Sequence, residues 1–369
     1  MQKQVERVVW VDLVRIVGAF FVIGIHFNMY FEGKAPLPEI GKELEWYAVS
    51  IYSVFFQTAV ELFFMVSGFL LLSRTSLGIE GTFKRVARVL LLILSWSVIN
   101  LLIRKVLYGV DFLGNPVTLY EGVRCILLCK ANTNLWFLYA LCAIYIVAPI
   151  LHTIVRHADK KVLRYFIILS FFAVTVYPWI CQGLCLLFDV EKVYFQFVLV
   201  NSIPMTYFVA GYYFGYKSRF RPLFKHYLGN RGGEIACISG IIGLVVLAAL
   251  LPGLAMFGHI NAGAVIGKVH WIYVITIFLL LKYIGSSQWY IRSMLAKGTV
   301  IIAPLTLGVY VMHTFAQHLL STGLLGFTFD INSIFPAFSI PIGLIVNFTL
   351  SALAAYVMLK IPVIRRIVA

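Results

Sequence analysis

Apolar residues along this chain fall into long unbroken runs, with basic and turn-forming residues gathered between them. About 20 consecutive apolar residues are what a helix needs to cross the hydrocarbon core of a bilayer. Ten such segments are predicted, at residues 10–30, 51–72, 87–107, 135–155, 163–181, 194–216, 235–254, 269–284, 300–321 and 339–359, the eighth being the shortest. Continuous runs point to helices, because the strands of a membrane barrel alternate apolar and polar positions. The expected fold is an all-α membrane protein: a polytopic bundle of about ten transmembrane helices in a single integral membrane domain over residues 1–369. No internal repeat, low-complexity linker or soluble appendage is apparent in the sequence.

Composition agrees, with 61% hydrophobic and 12% charged residues and a mean hydropathy of +0.93. A soluble domain carries about twice that share of charge. The net charge of +15 raises the question of nucleic acid, but the placement of the basic residues answers it. Of 30 Lys and Arg, 21 fall on the side where a cytoplasmic N-terminus would put them, 8 on the other side, and Arg15 inside a span. Such a bias is the positive-inside pattern; it predicts that both termini are cytoplasmic and leaves nucleic acid a poor explanation of the charge. No small-residue cleavage site follows the first apolar run, which therefore reads as a retained helix. The six cysteines include Cys125/Cys129 and Cys181/Cys185 on outer-side stretches, where a bridge is conceivable and small apolar packing is the better account. No zinc-like His/Cys spacing accompanies them, and no metal is expected.

Ionisable groups inside spans change the picture from bulk to chemistry. Each costs about 2.5–3.5 kcal/mol on insertion scales, so such groups face a bundle interior and carry a task. The first span holds Asp12, Arg15 and His26. Arg15 and His26 are eleven residues apart, close to three helical turns, so they share a face about 16 Å apart along the axis. Asp12 lies one turn below Arg15 on that face. Helical rise puts Glu61 of the second span about 20 Å from the basic side and His26 about 24 Å, so Glu61 is expected to reach His26. A carboxylate beside an imidazole raises its basicity and fixes its tautomer, as a general base requires. The alternative is that Glu61 neutralises a buried charge such as Arg104. His313 in the ninth span falls at about 18 Å, near the same depth. His259, His270 and His318 lie nearer the outer or loop regions and are assigned no role.

Ser67 follows Glu61 about 9 Å deeper, too far from a base at that level to be a nucleophile; Ser67-Gly68 is equally a tight helix contact. Arg85 and Arg88 project from one face at the opening of the third span, and arginine forks suit phosphate oxygens, although such a pair also serves as positive-inside anchoring. The stretch 108–134 reads as a long outer loop, of the kind that forms lids. It leads into Asn134-Leu135-Trp136, where Trp136 and Tyr139 read as interfacial aromatics, or Trp136 with an asparagine as a pair that stacks on and hydrogen-bonds a sugar ring. Glu32, Glu39, Glu43 and Glu45 in the first loop read as a solvated face.

Taken together, these motifs resemble the acyltransferase-three family of bacterial membrane proteins. The resemblance rests on Asp12-x-x-Arg15 and Arg15-x10-His26, Phe63-Phe64-x-x-Ser67-Gly68-Phe69, Arg85-x-x-Arg88, Leu135-Trp136-Phe137-Leu138 and Tyr310-x-x-His313, in that order over nearly the whole chain. It implies a ten-helix bundle in the bacterial cytoplasmic membrane, among membrane lipids, that moves an acyl group from cytoplasmic acyl-CoA, acetyl-CoA foremost, to a glycan or lipid-linked sugar at the outer face. His26 would match the catalytic histidine and Arg15, Arg85 and Arg88 the essential arginines. Glu61 is assigned with His26 to catalysis, and Asp12, Ser67, Trp136, Tyr310 and His313 to the substrate-binding set. The fused extracytoplasmic hydrolase-like domain of many members has no counterpart in this sequence. The competing reading is a transporter or flippase for a lipid-linked sugar, in which the same residues relay protons.

Overall fold

The computed structural model describes residues 8–27, 41–109, 116, 118–131, 133–189, 202–217, 232–257, 262–324 and 326–365, and these are overwhelmingly helical. In chain order the helices are α1 (Val9–Phe27), α2 (Glu43–Phe56), α3 (Ala59–Leu72), α4 (Ile79–Tyr108), α5 (Leu119–Leu127), α6 (Trp136–His157), α7 (Lys160–Phe171) and α8 (Tyr177–Phe188). They continue with α9 (Ile203–Tyr212), α10 (Gly232–Phe257), α11 (Ala262–Gly285), α12 (Met294–Ile302), α13 (Thr306–Ser321) and α14 (Pro336–Lys360). Among the described residues, nine helical stretches are long and apolar enough to cross a membrane. They correspond to every expected span but the sixth. The first part of that span lies outside the described residues; its described part is α9, followed by a π-helical turn over Tyr213–Lys217.

Local chemistry moves several boundaries. The second span starts at Glu43 and is broken between α2 and α3, where the Thr58 hydroxyl and amide both bond to the Phe55 carbonyl. Glu43 and Glu45 therefore sit in the first turn of α2, where carboxylates suit the positive helix end, and not in a loop. Glu32 and Glu39 lie outside the described residues. The third span starts at Ile79 and not at 87, so Arg85 and Arg88 are well inside α4. It ends at Gly109, whose φ of 72° is the left-handed conformation glycine supplies at helix ends. The stretch after it contains α5, capped by Thr118 through the Glu121 amide and tied to α6 by the Tyr139 hydroxyl on the Ile126 carbonyl. All six cysteines are free thiols.

Helix α3 is the centre of the bundle, packed on α1, α6, α9 and α11. Its contact with α9 is the closest in the fold. A Cβ at Gly68 would lie 1.7 Å from the Phe208 carbonyl oxygen, and one at Gly211 1.9 Å from that of Met65. The tight-packing account of Ser67-Gly68 is thus correct for Gly68. At one end of the bundle Trp10 is wedged between Phe69 and Phe278, at ring separations of 4.7 and 5.5 Å. There the Lys282 ammonium donates to the Phe214 and Gly215 carbonyls of the π turn, at 2.7 and 3.0 Å. At the other end Phe27 packs against Phe329 and fills the space beside Gly343.

Candidate active site

Helix α1 carries the two stations expected of it. Arg15 pairs with Asp12 at 3.7 Å; the carboxylate is buried and the guanidinium half-exposed. Eleven residues on, His26 meets His313 of α13 with ring centroids 5.0 Å apart. His313 is fully buried, and its Nδ1 donates to the Tyr310 carbonyl at 2.6 Å. That bond fixes the tautomer in which Nδ1 carries the proton. Nε2, buried and without a hydrogen-bond partner, keeps its lone pair. The helix that presents His313 is anchored from α14: Asn347 Nδ2 donates to the His313 carbonyl at 3.1 Å and to Gln317 at 3.2 Å, while Ser351 donates to Asn347 Oδ1.

Glu61 does not join this pair. Ala59 and Phe63 face Gly18 of α1, and Glu61, two residues from each, points from the opposite side of α3. Its Oε1 contacts His270 Nε2 of α11 at 3.4 Å, with both side chains about 15% exposed and Tyr207 close by. The expected Glu61–His26 contact is therefore corrected to Glu61–His270. Depth along the membrane was the right measure for His313 and insufficient for Glu61, because rotation about the helix axis decides which neighbour is met. His270, set aside as peripheral, is the partner.

A cavity of about 310 Å³ lies beside Arg15, and Tyr310 in its wall stands 6.1 Å, ring to ring, from His313. Arg15, Ser67, Tyr145, Thr306 and Tyr310 supply its polar wall, and Phe63, Phe137 and Leu307 much of the rest. Ser67 is within hydrogen-bonding reach of the Tyr145 hydroxyl, and Arg15 and Arg85 act on that hydroxyl electrostatically. Arg85 Nη1 is buried with no hydrogen-bond partner, and Arg74 and Arg88 lie in its field. A buried guanidinium nitrogen so placed invites an anionic or carbonyl acceptor. The Tyr310 hydroxyl donates to the Asn134 carbonyl, and its ring meets Phe137 edge-on at 5.8 Å.

Of the residues the sequence assigned to substrate binding, Arg15, Ser67 and Tyr310 line this cavity, together with Tyr145 and Phe137, to which it gave no role. A tyrosine within the apolar fourth span was the available sign. Trp136 is not in the cavity: it is half-exposed and continues an outward stripe with Val147 and Ile150. Phe137, Leu138, Leu141 and Tyr145 share the inward face of α6, which turns Trp136 away. Arg88 is exposed beside the inward-turned Arg85. Among the described residues no group of three or more His, Cys, Asp or Glu is placed to hold a metal ion.

No curated protein and no solved structure matches the chain. The acyltransferase-three family model, an acyltransferase domain, matches residues 8–356. That match covers the helices that carry Arg15, His26, Ser67, Arg85 and His313, and the chain belongs to this family of membrane acyltransferases.

Proposed function

We propose that this protein moves an acyl group, acetyl foremost, from cytoplasmic acyl-CoA to a hydroxyl of a glycan or lipid-linked sugar at the outer face of a bacterial cytoplasmic membrane. The observation that carries the reading is the 310 Å³ cavity walled by Arg15 and Tyr310, with the His26–His313 imidazole pair next to it, the His313 ring 6.1 Å from that of Tyr310. Its volume and largely apolar wall suit a thioester arm, with Arg15 and Arg85 where negative charge would trail behind it. The excess of basic residues at the arginine end is the signature of a cytoplasmic face.

In the proposed reaction His26 takes the proton of the acceptor hydroxyl as its oxygen attacks the thioester carbonyl. The carbon–sulfur bond then breaks, and the departing thiolate receives that proton. A small rotation of His26 lets its N–H donate to the open Nε2 of His313, leaving the other His26 nitrogen as the base. Arg15, about 16 Å from His26 by helical rise, holds the donor and does not touch the reacting carbonyl.

Purified protein given labelled acetyl-CoA and membrane glycolipids should place label on the glycan. His26→Ala should lower transfer by about 10²–10⁴-fold while the protein remains inserted. Movement of glycolipid without covalent label would support the transport reading, and full activity in His26→Ala would remove this mechanism.

A further inference from the structure

A second cavity, of about 170 Å³, opens at the arginine end, where α3, α6 and the π turn after α9 converge. Arg74, Arg156, Tyr212 and Tyr216 form most of its wall, with Ser73 and Thr75 between them. The Tyr212 and Tyr216 rings are stacked, 5.6 Å apart and 22° from parallel. Tyr212 is buried and Tyr216 stands 58% exposed, so one member is rigid and the other offers an open ring face. The π turn produces this spacing, and Lys282 holds the turn through its carbonyls. Single π turns of this kind recur at functional sites.

The arginines are equally constrained. Arg156 Nη1 donates to the Thr75 and Arg74 carbonyls, and His152 Nε2 meets the Arg74 carbonyl at 2.9 Å. These bonds pin the chain after α3 to the end of α6, and they use only one nitrogen of the Arg156 fork.

Both cavities lie along the seam between α3 and α6. From Ser67 to Arg74 is about 10 Å of helical rise, and from Tyr145 to Arg156 about 16 Å. Charged groups recur between them: Arg74 is near enough to Arg85 to influence it, as Arg85 and Arg15 are to Tyr145. An anionic head at the lower cavity with a thin arm reaching the upper one matches this layout.

Resting on the acyl-CoA reading, we infer that the Arg74–Arg156–Tyr212–Tyr216 cavity binds the phosphorylated purine end of the donor. Arg74 and Arg156 take phosphate oxygens through charge-assisted hydrogen bonds, and the purine stacks on the open face of Tyr216. Arg85 then meets the first part of the arm and not the nucleotide itself.

The test compares two donors, acetyl-CoA and S-acetylpantetheine, which carries the same thioester without phosphates or purine. Arg156→Lys and Tyr216→Ala should each raise KM for acetyl-CoA about tenfold, leave kcat within twofold, and leave KM for S-acetylpantetheine unchanged. Equal increases for both donors would overturn the assignment. Affinity for adenosine 3′,5′-bisphosphate, measured without turnover, should fall about tenfold in the same variants; unchanged affinity would overturn it. A lipid headgroup offers the same phosphate chemistry, so the kinetics are repeated in nanodiscs of neutral and of anionic lipid. A variant effect present only in anionic lipid assigns the cavity to lipid and also overturns the proposal. Nucleotide bound through these residues by a protein that acylates no acceptor would leave this site standing and remove the transfer reading.

Discussion

Glu61 and His270 are the most consequential pair outside the cavity, because each makes the other tolerable inside the bundle. Glu61 Oε2 and His270 Nδ1 are buried without hydrogen-bond partners, so their mutual contact is what offsets burial. Removing one partner of a buried pair costs about 3–5 kcal/mol, whereas replacing both by apolar side chains of similar volume is often neutral. Glu61→Ala should therefore lower thermal stability markedly and take activity with it. The double variant Glu61→Met with His270→Leu should recover most of the stability and, since neither side chain reaches His26, most of the transfer. A Glu61→Ala protein of unchanged stability and no activity would return Glu61 to the catalytic set. The sequence made Glu61 conspicuous but could not choose its partner. The sequence weighed His26 against Arg104 and set His270 aside, and the choice rests on a rotation of α3 that is set by Phe63 and Ala59 packing on Gly18.

At the scale of the element, α3 does two things through adjacent residues: Ser67 faces the cavity and Gly68 lets α9 approach to backbone contact. Gly68→Val puts three carbons where the Phe208 carbonyl already is. Overpacking costs about 1–3 kcal/mol and occasionally more; with a backbone atom in the way, this substitution should reach at least the top of that range. Loss of folded protein in detergent, followed by size-exclusion profile and melting temperature, is the measurement; a Gly68→Val protein as stable as the parent would mean that α3 and α9 are not in contact. The opposite expectation holds on α6. Trp136→Ala changes a half-exposed outward side chain, so KM and kcat should stay within about twofold of the parent, within the ±0.5 kcal/mol usual for surface changes. Small residues at helix contacts are visible in a sequence, but their partners are not. Likewise Leu135-Trp136-Phe137-Leu138 is conspicuous as a run, while only the bundle decides which of its faces is inward.

At the scale of the molecule, run length was enough to give the helical bundle and nine of the ten expected spans among the described residues, because hydrocarbon thickness is a fixed ruler that each span must satisfy. It did not give the breaks at Thr58 or the π turn before Lys217, which arise from side chain–backbone bonds and from Lys282 reaching across to another helix. The π turn puts Tyr216 in the wall of the lower cavity, so one of the least legible parts of the sequence lies at the proposed donor site. The arrangement carries a directional consequence. The arginine cluster and the lower cavity sit at the end that also holds the Lys160–Lys161 start of α7, and the imidazoles lie toward the other end, near Phe27. Donor and acceptor should thus enter from opposite faces. In sealed vesicles whose orientation is fixed by labelling a cysteine introduced at Lys161, acetyl-CoA should support transfer only from the face that carries the label site. The acceptor should be modified only when supplied on the opposite face. Transfer that proceeds with both substrates on the labelled face alone would mean that the acceptor shares the donor's route, and the two stations of α1 would then be one site approached from a single side.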